Sequence, residues 1–569
     1  MGFARLFRGR WRLLRLAFVA VGVTVGLIAV ASAGPSARSA SAQVTGCAPG
    51  TTVQTPDGPV CGTTATNGVD EWLGIPYAEP PVGVLRWAPP QPHTAWTTML
   101  EATQFASECP QPSVKSGPSA PGSSEDCLYL NVYAPPGGGT NLPVMFHIHG
   151  GGLFKGSGAG DYSLLAATGH EVIVSTNYRL GIFGFLANSA FGHHAGDYGL
   201  QDQQAAMRWV QQNIAAFGGD PHHVTIFGES GGASSVCDQI ASPTAHGLFE
   251  GAIDGSGEYN TLFGGPGVRP GGQYDLEPQD CKSSLPSESQ ADSIGAAFAS
   301  SVGCGAGTAD VAACLRALPT DTVLEASDTP GDGYQYGGQG TIAPTINGTT
   351  LTMTLRQGLK TGHVNRVPVM IGTERDEDLV GEPTTPDEYV QSVETQYGRY
   401  APQVLALYPL SRFETPFIAW RTLAADSDTV CPAIVTDEDL ARWMPVYGFL
   451  MNDNDLPPYQ ATGTRDTPAG AAHDNPWASY EQPQTPALDA DQQAMQDEEI
   501  ARLTTFARTS DPTAQGYAIW PEFNRSGDEM ELQPAGDSEV MSISQISADH
   551  NCRFWDSISP GVGQQEHKR

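Results

Sequence analysis

The sequence predicts an α/β fold with a mostly parallel sheet, because short apolar stretches typical of buried strands alternate with helical patterns. Two junctions support this prediction. The apolar residues 224–227 lead into Gly228-Glu-Ser-Gly-Gly232 and then into a helical segment, and residues 143–149 lead into Gly150-Gly-Gly152. A G-x-S-x-G turn between a strand and a helix holds its serine in a strained conformation, with the hydroxyl exposed above the sheet.

Residues 1–42 carry the features of an export signal. Six Arg and no acidic residue occur in this segment, and an apolar stretch, residues 16–31, follows the basic region. Small-residue cleavage motifs are present at Ala31-Ser-Ala33 and Ala40-Ser-Ala42. We therefore expect a cleaved signal peptide, a single domain over residues 43–569 and secretion to the extracellular space. Cleavage after Ala33, cleavage after Ala42 and retention as a membrane anchor remain alternatives.

Composition excludes several classes of partner. The formal net charge is −33, and removal of the Arg-rich leader takes it to −39. Such a chain repels nucleic acid and anionic membranes, and no later stretch is apolar enough to span a bilayer. We therefore expect no nucleic-acid partner and no stable membrane association after signal cleavage. The ten Cys of an exported chain predict disulfides.

The remaining elements follow in chain order. Ala206, Trp209, Val210, Ile214 and Phe217 recur at helical spacing. The patterns predict strands at 127–133, 143–149, 172–175, 224–227 and 367–372, helices at 201–217 and 489–508, and short strands and turns over 43–83. Polar, Gly- and Pro-rich composition predicts loops at 110–124, 262–290, 328–341 and 453–472.

The serine at the apex of the first junction is a candidate nucleophile. A serine hydroxyl attacks a carbonyl only when a base takes its proton, an acid orients that base and donors receive the oxyanion. His149-Gly-Gly-Gly152 lies about 80 residues before Ser230 and follows a strand. Bare backbone N–H groups in such a loop are suited to binding a developing negative charge.

These motifs resemble those of the type-B carboxylesterase/lipase family, the cholinesterase-like α/β-hydrolases, over nearly all of residues 50–558. The matching segments are 73–78, 124–131, 149–152, 177–181, 184–186, 199–203, 213–221 and 228–232. The resemblance implies an α/β-hydrolase fold: a central, mostly parallel, twisted sheet flanked by helices, with extended loop insertions over the active site. It implies no cofactor.

The resemblance also implies a catalytic triad of Ser230, Glu377 and His473. Glu377 stands in Gly372-Thr-Glu-Arg-Asp-Glu-Asp378, and from spacing alone Asp376 or Glu374 could take the acid role. Three departures from the family pattern stand out. Asp378 stands where the family has a glycine beside the acid, and Gly231 stands where the family usually has an alanine after the nucleophile. The segment that begins at the predicted base, His473-Asp-Asn-Pro476, also differs from the family pattern.

Other site residues follow from the same resemblance. The backbone N–H groups of Gly151, Gly152 and Gly231 would form the oxyanion hole. Glu229 would line the substrate pocket, and Ser256 would lie behind the acid. His147, His149, His193 and His194 are interpreted as structural or pocket-rim residues. A metal site at His193-His194 lacks clear partner ligands, so we expect no metal.

The family pattern further implies disulfides Cys109–Cys127, Cys304–Cys314 and Cys431–Cys552. Cys47–Cys61 and Cys237–Cys281 are then pairings by elimination, and a buried free thiol at Cys237 is an alternative.

The functional hypothesis is an exported serine carboxylesterase that acts on small-molecule esters through an acyl-enzyme. A lipase of the same fold, acting on long-chain acyl esters, is the alternative, and a non-catalytic adhesion protein is a remote one. Residues 110–126 contain no Trp, Tyr or Phe. This argues against choline esters, because recognition of a quaternary ammonium needs an aromatic face.

Overall fold

The protein is built on a large mixed sheet with helices packed on both of its faces. The computed structural model describes residues 46–112, 120, 122–257, 285–327, 342–375, 383–452 and 488–558. The strands are β1 (Val53–Gln54), β2 (Pro59–Cys61), β3 (Thr63–Thr64), β4 (Asp70–Pro76), β5 (Leu100–Glu101), β6 (Tyr129–Ala134), β7 (Leu142–Ile148), β8 (Val172–Thr176), β9 (Gly219–Glu229), β10 (Gly251–Gly255), β11 (Val369–Glu374), β12 (Val446–Met451), β13 (Asp528–Leu532) and β14 (Glu539–Ser542).

The helices connect these strands and cover them. They are α1 (Ser163–Gly169), α2 (Gly181–Phe185), α3 (Tyr198–Asn213), α4 (Gly231–Ala241), α5 (Glu288–Ser301), α6 (Val311–Arg316), α7 (Thr320–Ser327), α8 (Leu355–Thr361), α9 (Pro386–Tyr397), α10 (Ala401–Leu407), α11 (Pro416–Ala425), α12 (Cys431–Leu440), α13 (Ala490–Thr509), α14 (Phe523–Ser526), α15 (Ile543–Asp549) and α16 (Cys552–Ile558). A π-helical segment, Asp426–Val430, joins α11 to α12.

The topology of the sheet marks one place as a ligand site. The described strands form an eleven-stranded sheet in the order β14-β13-β12-β11-β10-β9-β7-β8-β6-β4-β3, in which the run from β13 to β8 is parallel. From β7 the chain goes to β8 on one side and then returns to β9 on the other. Ligands bind at the carboxyl ends of the strands where the strand order reverses in this way.

Both faces of the parallel strands are buried, because successive side chains point to opposite sides. Phe146 and Ile226 belong to one hydrophobic cluster, which includes side chains of α3 and α4. Their neighbours Met145 and Phe227 belong to the other cluster, which includes side chains of α1 and α13. The sheet is therefore held on both sides, and the ends of β7 and β9 are rigidly placed.

The structure confirms the predicted mostly parallel sheet and the predicted elements, with shifted bounds. β9 begins at Gly219, five residues before the predicted strand, and α3 ends at Asn213, where a 3-10 turn, Ile214–Phe217, continues the predicted helix. The predicted strand at 367–372 is β11, two residues further along. The predicted helix at 489–508 is α13. The observed bounds differ little from the predicted ones, because each of these elements is defined by an apolar pattern within its own short segment.

Two loop predictions were partly wrong. The predicted surface loop at 110–124 begins with two buried residues, Pro110 and Gln111, and Gln111 bonds to Gly156. The predicted loop at 262–290 ends early, because α5 starts at Glu288, where Ser287 and Gln290 form a capping box. The rest of that loop and the predicted loops at 328–341 and 453–472 lie outside the described residues.

Disulfides join segments of the chain that lie outside the large sheet. They join Cys47 to Cys61, Cys109 to Cys127, Cys304 to Cys314 and Cys431 to Cys552. Cys237 is also disulfide-bonded, so the alternative of a free thiol there is wrong, and Cys281 lies outside the described residues. Disulfides of this number are typical of proteins that fold in an oxidising compartment.

Among the helices that the structure describes, none has the length and apolar character needed to cross a bilayer.

Candidate active site

Ser230 stands at the apex of a sharp turn between β9 and α4. Its backbone has φ +52° and ψ −121°, a conformation that costs a non-glycine residue roughly 1–3 kcal/mol and persists only where the surroundings impose it. Its N–H donates to the carbonyl of Gly255 at 2.9 Å, and its own carbonyl accepts from the Ser234 N–H at 2.9 Å. The end of β10 and the first turn of α4 therefore hold the serine in place.

The glycines of this turn are required by close backbone packing. A Cβ added to Gly232 would lie 2.1 Å from the carbonyl oxygen of Ile148, and one added to Gly228 would lie 2.7 Å from the same atom. No side chain fits at either position. The sharp turn therefore rests directly on the carboxyl end of β7, which is the place that the strand order marks as a ligand site.

The glycine loop that follows β7 lies against the serine. A Cβ added to Gly150 would come within 3.5 Å of Ser230 Cβ and within 2.8 Å of the Glu229 carboxylate oxygen Oε2. A Cβ added to Gly231 would lie 2.7 Å from the backbone nitrogen of Gly152. The structure thus brings together all the predicted site residues from these two segments: Ser230, Glu229, Gly151, Gly152 and Gly231.

The backbone N–H groups of this loop are available to a ligand. The loop closes as a tight turn in which the N–H groups of Phe154 and Lys155 donate to the Gly151 carbonyl, at 3.2 and 3.1 Å. Within the described parts of the chain, the N–H groups of Gly151 and Gly152 donate to no protein acceptor. Buried donors beside a nucleophile are the arrangement that stabilises an oxyanion.

His147, on β7, and His149, directly after it, have structural surroundings. His149, 3% exposed, stacks on Tyr178 with ring centroids 4.3 Å apart, and the Tyr178 hydroxyl donates to the His149 carbonyl at 2.8 Å. His147 lies 2.6 Å from the Tyr162 hydroxyl through its Nδ1 and is equally buried. The His149 ring lies 2.8 Å from the Gly150 carbonyl through its Nδ1 and so contacts the glycine loop, whereas the His147 ring packs against Tyr162 and Phe227.

The end of β11 lies two strands away from Ser230 on the same edge of the sheet. The Ser256 N–H donates to the Gly372 carbonyl at 2.7 Å, and its hydroxyl lies 3.4 Å from the Thr373 hydroxyl. Ser256 therefore lies beside the residues that lead to the predicted acid. Glu374, one alternative acid, is the last residue of β11 and is 8% exposed. Glu377, Asp376 and His473 lie outside the described residues.

Two buried acids, Asp238 and Asp197, lie on α4 and at the N-terminus of α3. Burial raises the pKa of Asp238, on α4, to about 8. Burial also raises the pKa of Asp197 well above its ordinary value, and the nearby charge of Asp238 raises it further. Both groups are therefore held neutral near pH 7, so the underside of α4 carries little charge despite its carboxyls.

No cluster of three or more metal-ligating side chains occurs among the residues for which the structure gives positions. His194, one half of the candidate pair, lies 2.5 Å from the Asn347 carbonyl through its Nδ1.

Gln111 is a site-adjacent residue that sequence reasoning missed. Its side chain is 7% exposed and bonds to the backbone of Gly156, just beyond the glycine loop. The available signal was its position two residues after Cys109, the first cysteine of an implied disulfide. The polar composition of the segment concealed it, because a Ser/Pro-rich stretch is typical of a surface loop.

Comparison with known proteins gives one consistent assignment. The model of the carboxylesterase family matches residues 49–263 and 280–555. The para-nitrobenzyl esterase of Bacillus subtilis (strain 168) is 39% identical over 394 residues, which cover 66% of this chain and 74% of that protein. The fumonisin B1 esterase of Sphingopyxis macrogoltabida is 48% identical over 195 residues, covering 32% of this chain and 36% of that protein.

A solved structure agrees over nearly its whole length. The structure of a PNB esterase superposes with a TM-score of 0.68 and 30% identity, covering 89% of this chain and 99% of that one. The α/β-hydrolase fold and the family that the sequence resembles are thereby confirmed. The chain therefore belongs to the carboxylesterase family and is a carboxylic-ester hydrolase.

Proposed function

We propose that this protein hydrolyses small-molecule carboxylic esters through an acyl-enzyme on Ser230. The observation that carries the proposal is the strained turn that presents this hydroxyl beside the N–H groups of Gly151 and Gly152. A serine at a strained turn between a strand and a helix presents its hydroxyl above the sheet.

The proposed chemistry has two steps. His473 takes the proton of Ser230 as its oxygen attacks the ester carbonyl, and the tetrahedral oxyanion accepts hydrogen bonds from the backbone N–H groups of Gly151, Gly152 and Gly231. His473 then donates the proton to the departing alcohol. Water, deprotonated by the same imidazole, attacks the acyl-enzyme and releases the acid. Each oxyanion donor is worth about 3 kcal/mol of barrier.

In this proposal Glu377 orients the imidazole of His473 and stabilises its charged form. The placement of β11 supports an acid near this point, since its carboxyl end lies two strands from Ser230 on the same edge of the sheet. Glu229 lines the pocket in the same proposal, and its carboxylate lies beside Gly150.

We also propose export, with residues 1–42 acting as a cleaved signal peptide. The disulfides among the described residues support folding in an oxidising compartment. N-terminal sequencing of the secreted protein tests this proposal. A first residue of Gly34 indicates cleavage after Ala33, and a first residue of Gln43 indicates cleavage after Ala42; a chain that still begins at Met1 would contradict the proposal.

Covalent labelling tests the nucleophile. A para-nitrobenzyl ester is a suitable assay substrate because the relative from Bacillus subtilis is a para-nitrobenzyl esterase. A fluorophosphonate should label the wild type once per chain, and Ser230→Ala should abolish both labelling and turnover. Ser301→Ala, a control in an exposed turn of α5, should keep both. Equal labelling of Ser230→Ala and the wild type would exclude Ser230 as the nucleophile.

The acid and the base need separate variants. Glu377→Gln and His473→Ala should each lower kcat by about 10³-fold or more, because a triad acts as a unit. Glu374→Gln is the matched control for the acid, since Glu374 stands three residues earlier at the end of β11. A larger loss in Glu374→Gln than in Glu377→Gln would move the acid role to Glu374.

A further inference from the structure

The side chain of Gln111 forms a two-point bond with the backbone beyond the glycine loop. Its Oε1 accepts from the Gly156 N–H at 2.9 Å, and its Nε2 donates to the Gly156 carbonyl at 3.0 Å. This is the pairing that a neighbouring strand would make, supplied here by one buried amide. A buried amide satisfied at both ends fixes the backbone it binds more firmly than a single hydrogen bond.

Gly156 in turn packs against the start of the glycine loop. Its φ is +107°, and a Cβ added there would lie 2.5 Å from His149 Nδ1 and 2.6 Å from the Gly150 carbonyl oxygen. The His149 ring lies 2.8 Å from the same carbonyl through its Nδ1. Gly156 therefore lies close to the peptide that joins Gly150 to Gly151, and a shift of Gly156 toward the loop would displace this peptide and its Gly151 N–H.

The segment that carries Gln111 is itself held in place by further bonds. Cys109, two residues earlier, is bonded to Cys127, and the Gln111 amide also donates to the Cys109 carbonyl at 3.2 Å. Asn177 bonds to the Cys127 carbonyl at 3.1 Å and accepts from the Gly158 N–H at 2.8 Å. The segment beyond the glycine loop is therefore tied to the Cys109–Cys127 region at two places, one of which is Gln111.

We propose that Gln111 is a positioning residue for the oxyanion hole. It acts through Gly156 on the peptide of Gly150, and so sets the direction of the Gly151 and Gly152 N–H groups. These donors stabilise the oxyanion of the transition state and not the bound substrate. If the N–H groups are misdirected, kcat therefore falls with little change in KM. This inference rests on the proposed function.

The test is a matched pair of variants. Gln111→Met keeps the volume of the side chain and removes both bonds to Gly156. Gln201→Met is the control, because Gln201, in the first turn of α3, also bonds through its amide, to the Gly196 carbonyl and the Thr350 hydroxyl. Gln111→Asn is a second variant, whose shorter amide does not reach both atoms of Gly156. Active-site titration normalises kcat to folded enzyme, so partial misfolding does not obscure the result.

We expect Gln111→Met and Gln111→Asn to lower kcat by about 10- to 100-fold, less than the 10²–10³-fold loss from removing a donor outright. KM should stay within about threefold, and the affinity for a trifluoromethyl ketone, which forms a tetrahedral adduct, should fall in parallel with kcat/KM. Losses no larger than in Gln201→Met, or an unchanged ketone affinity, would overturn the inference.

The proposed function fails by a different result, namely a wild type that is not labelled at Ser230. Labelling of the wild type together with unchanged kinetics of the Gln111 variants would reject only the role of Gln111.

Discussion

Single residues decide how close the glycine loop comes to the nucleophile. Gly231 follows Ser230, where the family usually has alanine, and the space for a Cβ is already filled by the backbone of Gly152 and Leu153, at 2.7 and 2.9 Å. The glycine therefore permits a closer approach of the loop than an alanine would. This departure from the family pattern is part of the packing of the site.

Gly231→Ala should lower kcat by about 10-fold, because the added methyl group pushes the Gly152 N–H away from the oxyanion. Steady-state kinetics with active-site titration measure the effect. Ile240→Val, on the same helix and buried, is the control and should keep kcat within about twofold. A Gly231→Ala variant with wild-type kcat would show that the loop adjusts freely.

A buried carboxyl on α4 makes stability depend on pH. In the unfolded chain Asp238 ionises near its ordinary pKa of 3.8, whereas burial holds it protonated in the fold until about pH 8. Between these values the unfolded state binds fewer protons than the fold. The free energy of unfolding therefore falls as pH rises through this window, by at most about 1.4 kcal/mol per pH unit from this group.

Asp238→Asn removes this contribution. The free energy of unfolding of the variant, relative to that of the wild type, should therefore increase as pH rises from 5 to 8. Denaturant titrations at several pH values give both curves. Ser235→Ala, which removes no titrating group from the same helix, should run parallel to the wild type. Parallel curves for Asp238→Asn as well would mean that the carboxyl is already ionised in the fold.

At the level of elements, one buried ion pair joins the segment after β8 to α3. Arg179 Nε and Nη2 each donate to an Asp202 carboxylate oxygen at 2.7 Å, and the side chains are 3% and 0% exposed. Both residues stand in segments that match the family pattern. The pair thus explains structurally why these two distant segments occur together: neither charge is tolerated in the interior without the other.

Asp202→Asn should lower the free energy of unfolding by about 3–5 kcal/mol, because it leaves the Arg179 charge buried without its partner. Asp439→Asn is the control, since Asp439 pairs with Arg442 at 3.1 Å on the surface of the protein. That variant should lose less than about 1 kcal/mol. Denaturant titration of both variants measures the difference, and equal losses would contradict the prediction.

For the whole molecule, one disulfide ties the C-terminal helix to the middle of the chain. Cys431 and Cys552 are 121 residues apart in sequence and lie in a hydrophobic cluster of α9 to α12 with α16. Near them the buried His550 lies 2.5 Å from Asp426 through its Nδ1. The segment around α16, the last described helix, is therefore held by a covalent bond and by a polar contact.

Replacing Cys431 and Cys552 together by serine should lower the free energy of unfolding by about 5 kcal/mol in the chain-entropy model, because the closed loop is long. The same change at Cys304 and Cys314, only 10 residues apart, should cost about 3 kcal/mol. Thermal unfolding of the two double variants ranks them. A larger loss for the short loop would show that local packing outweighs chain entropy here.

Much of the site could be read from local patterns. The strand, the G-x-S-x-G turn and the helix around Ser230 are contiguous in sequence, as are β7 and the glycine loop. Each of these two junctions could therefore be predicted from adjacent residues alone. By contrast β10, β12 and the helices from α9 to α12 were not predicted. Their short, mixed sequences acquire strand or helix structure through neighbours that are distant in the chain.

The amino-acid sequence alone was enough to predict the sheet, the sharp turn at Ser230, the glycine loop after β7 and the family, because these depend on short-range spacing of apolar residues and glycines. Folding decided that the backbone of Gly152 fills the space beside Gly231, that Arg179 meets Asp202, and that the amide of Gln111 binds Gly156 from a segment that looks like a surface loop. Each of these contacts joins residues at least 20 positions apart. Such contacts depend on how packed layers meet, which periodicity along the chain does not encode.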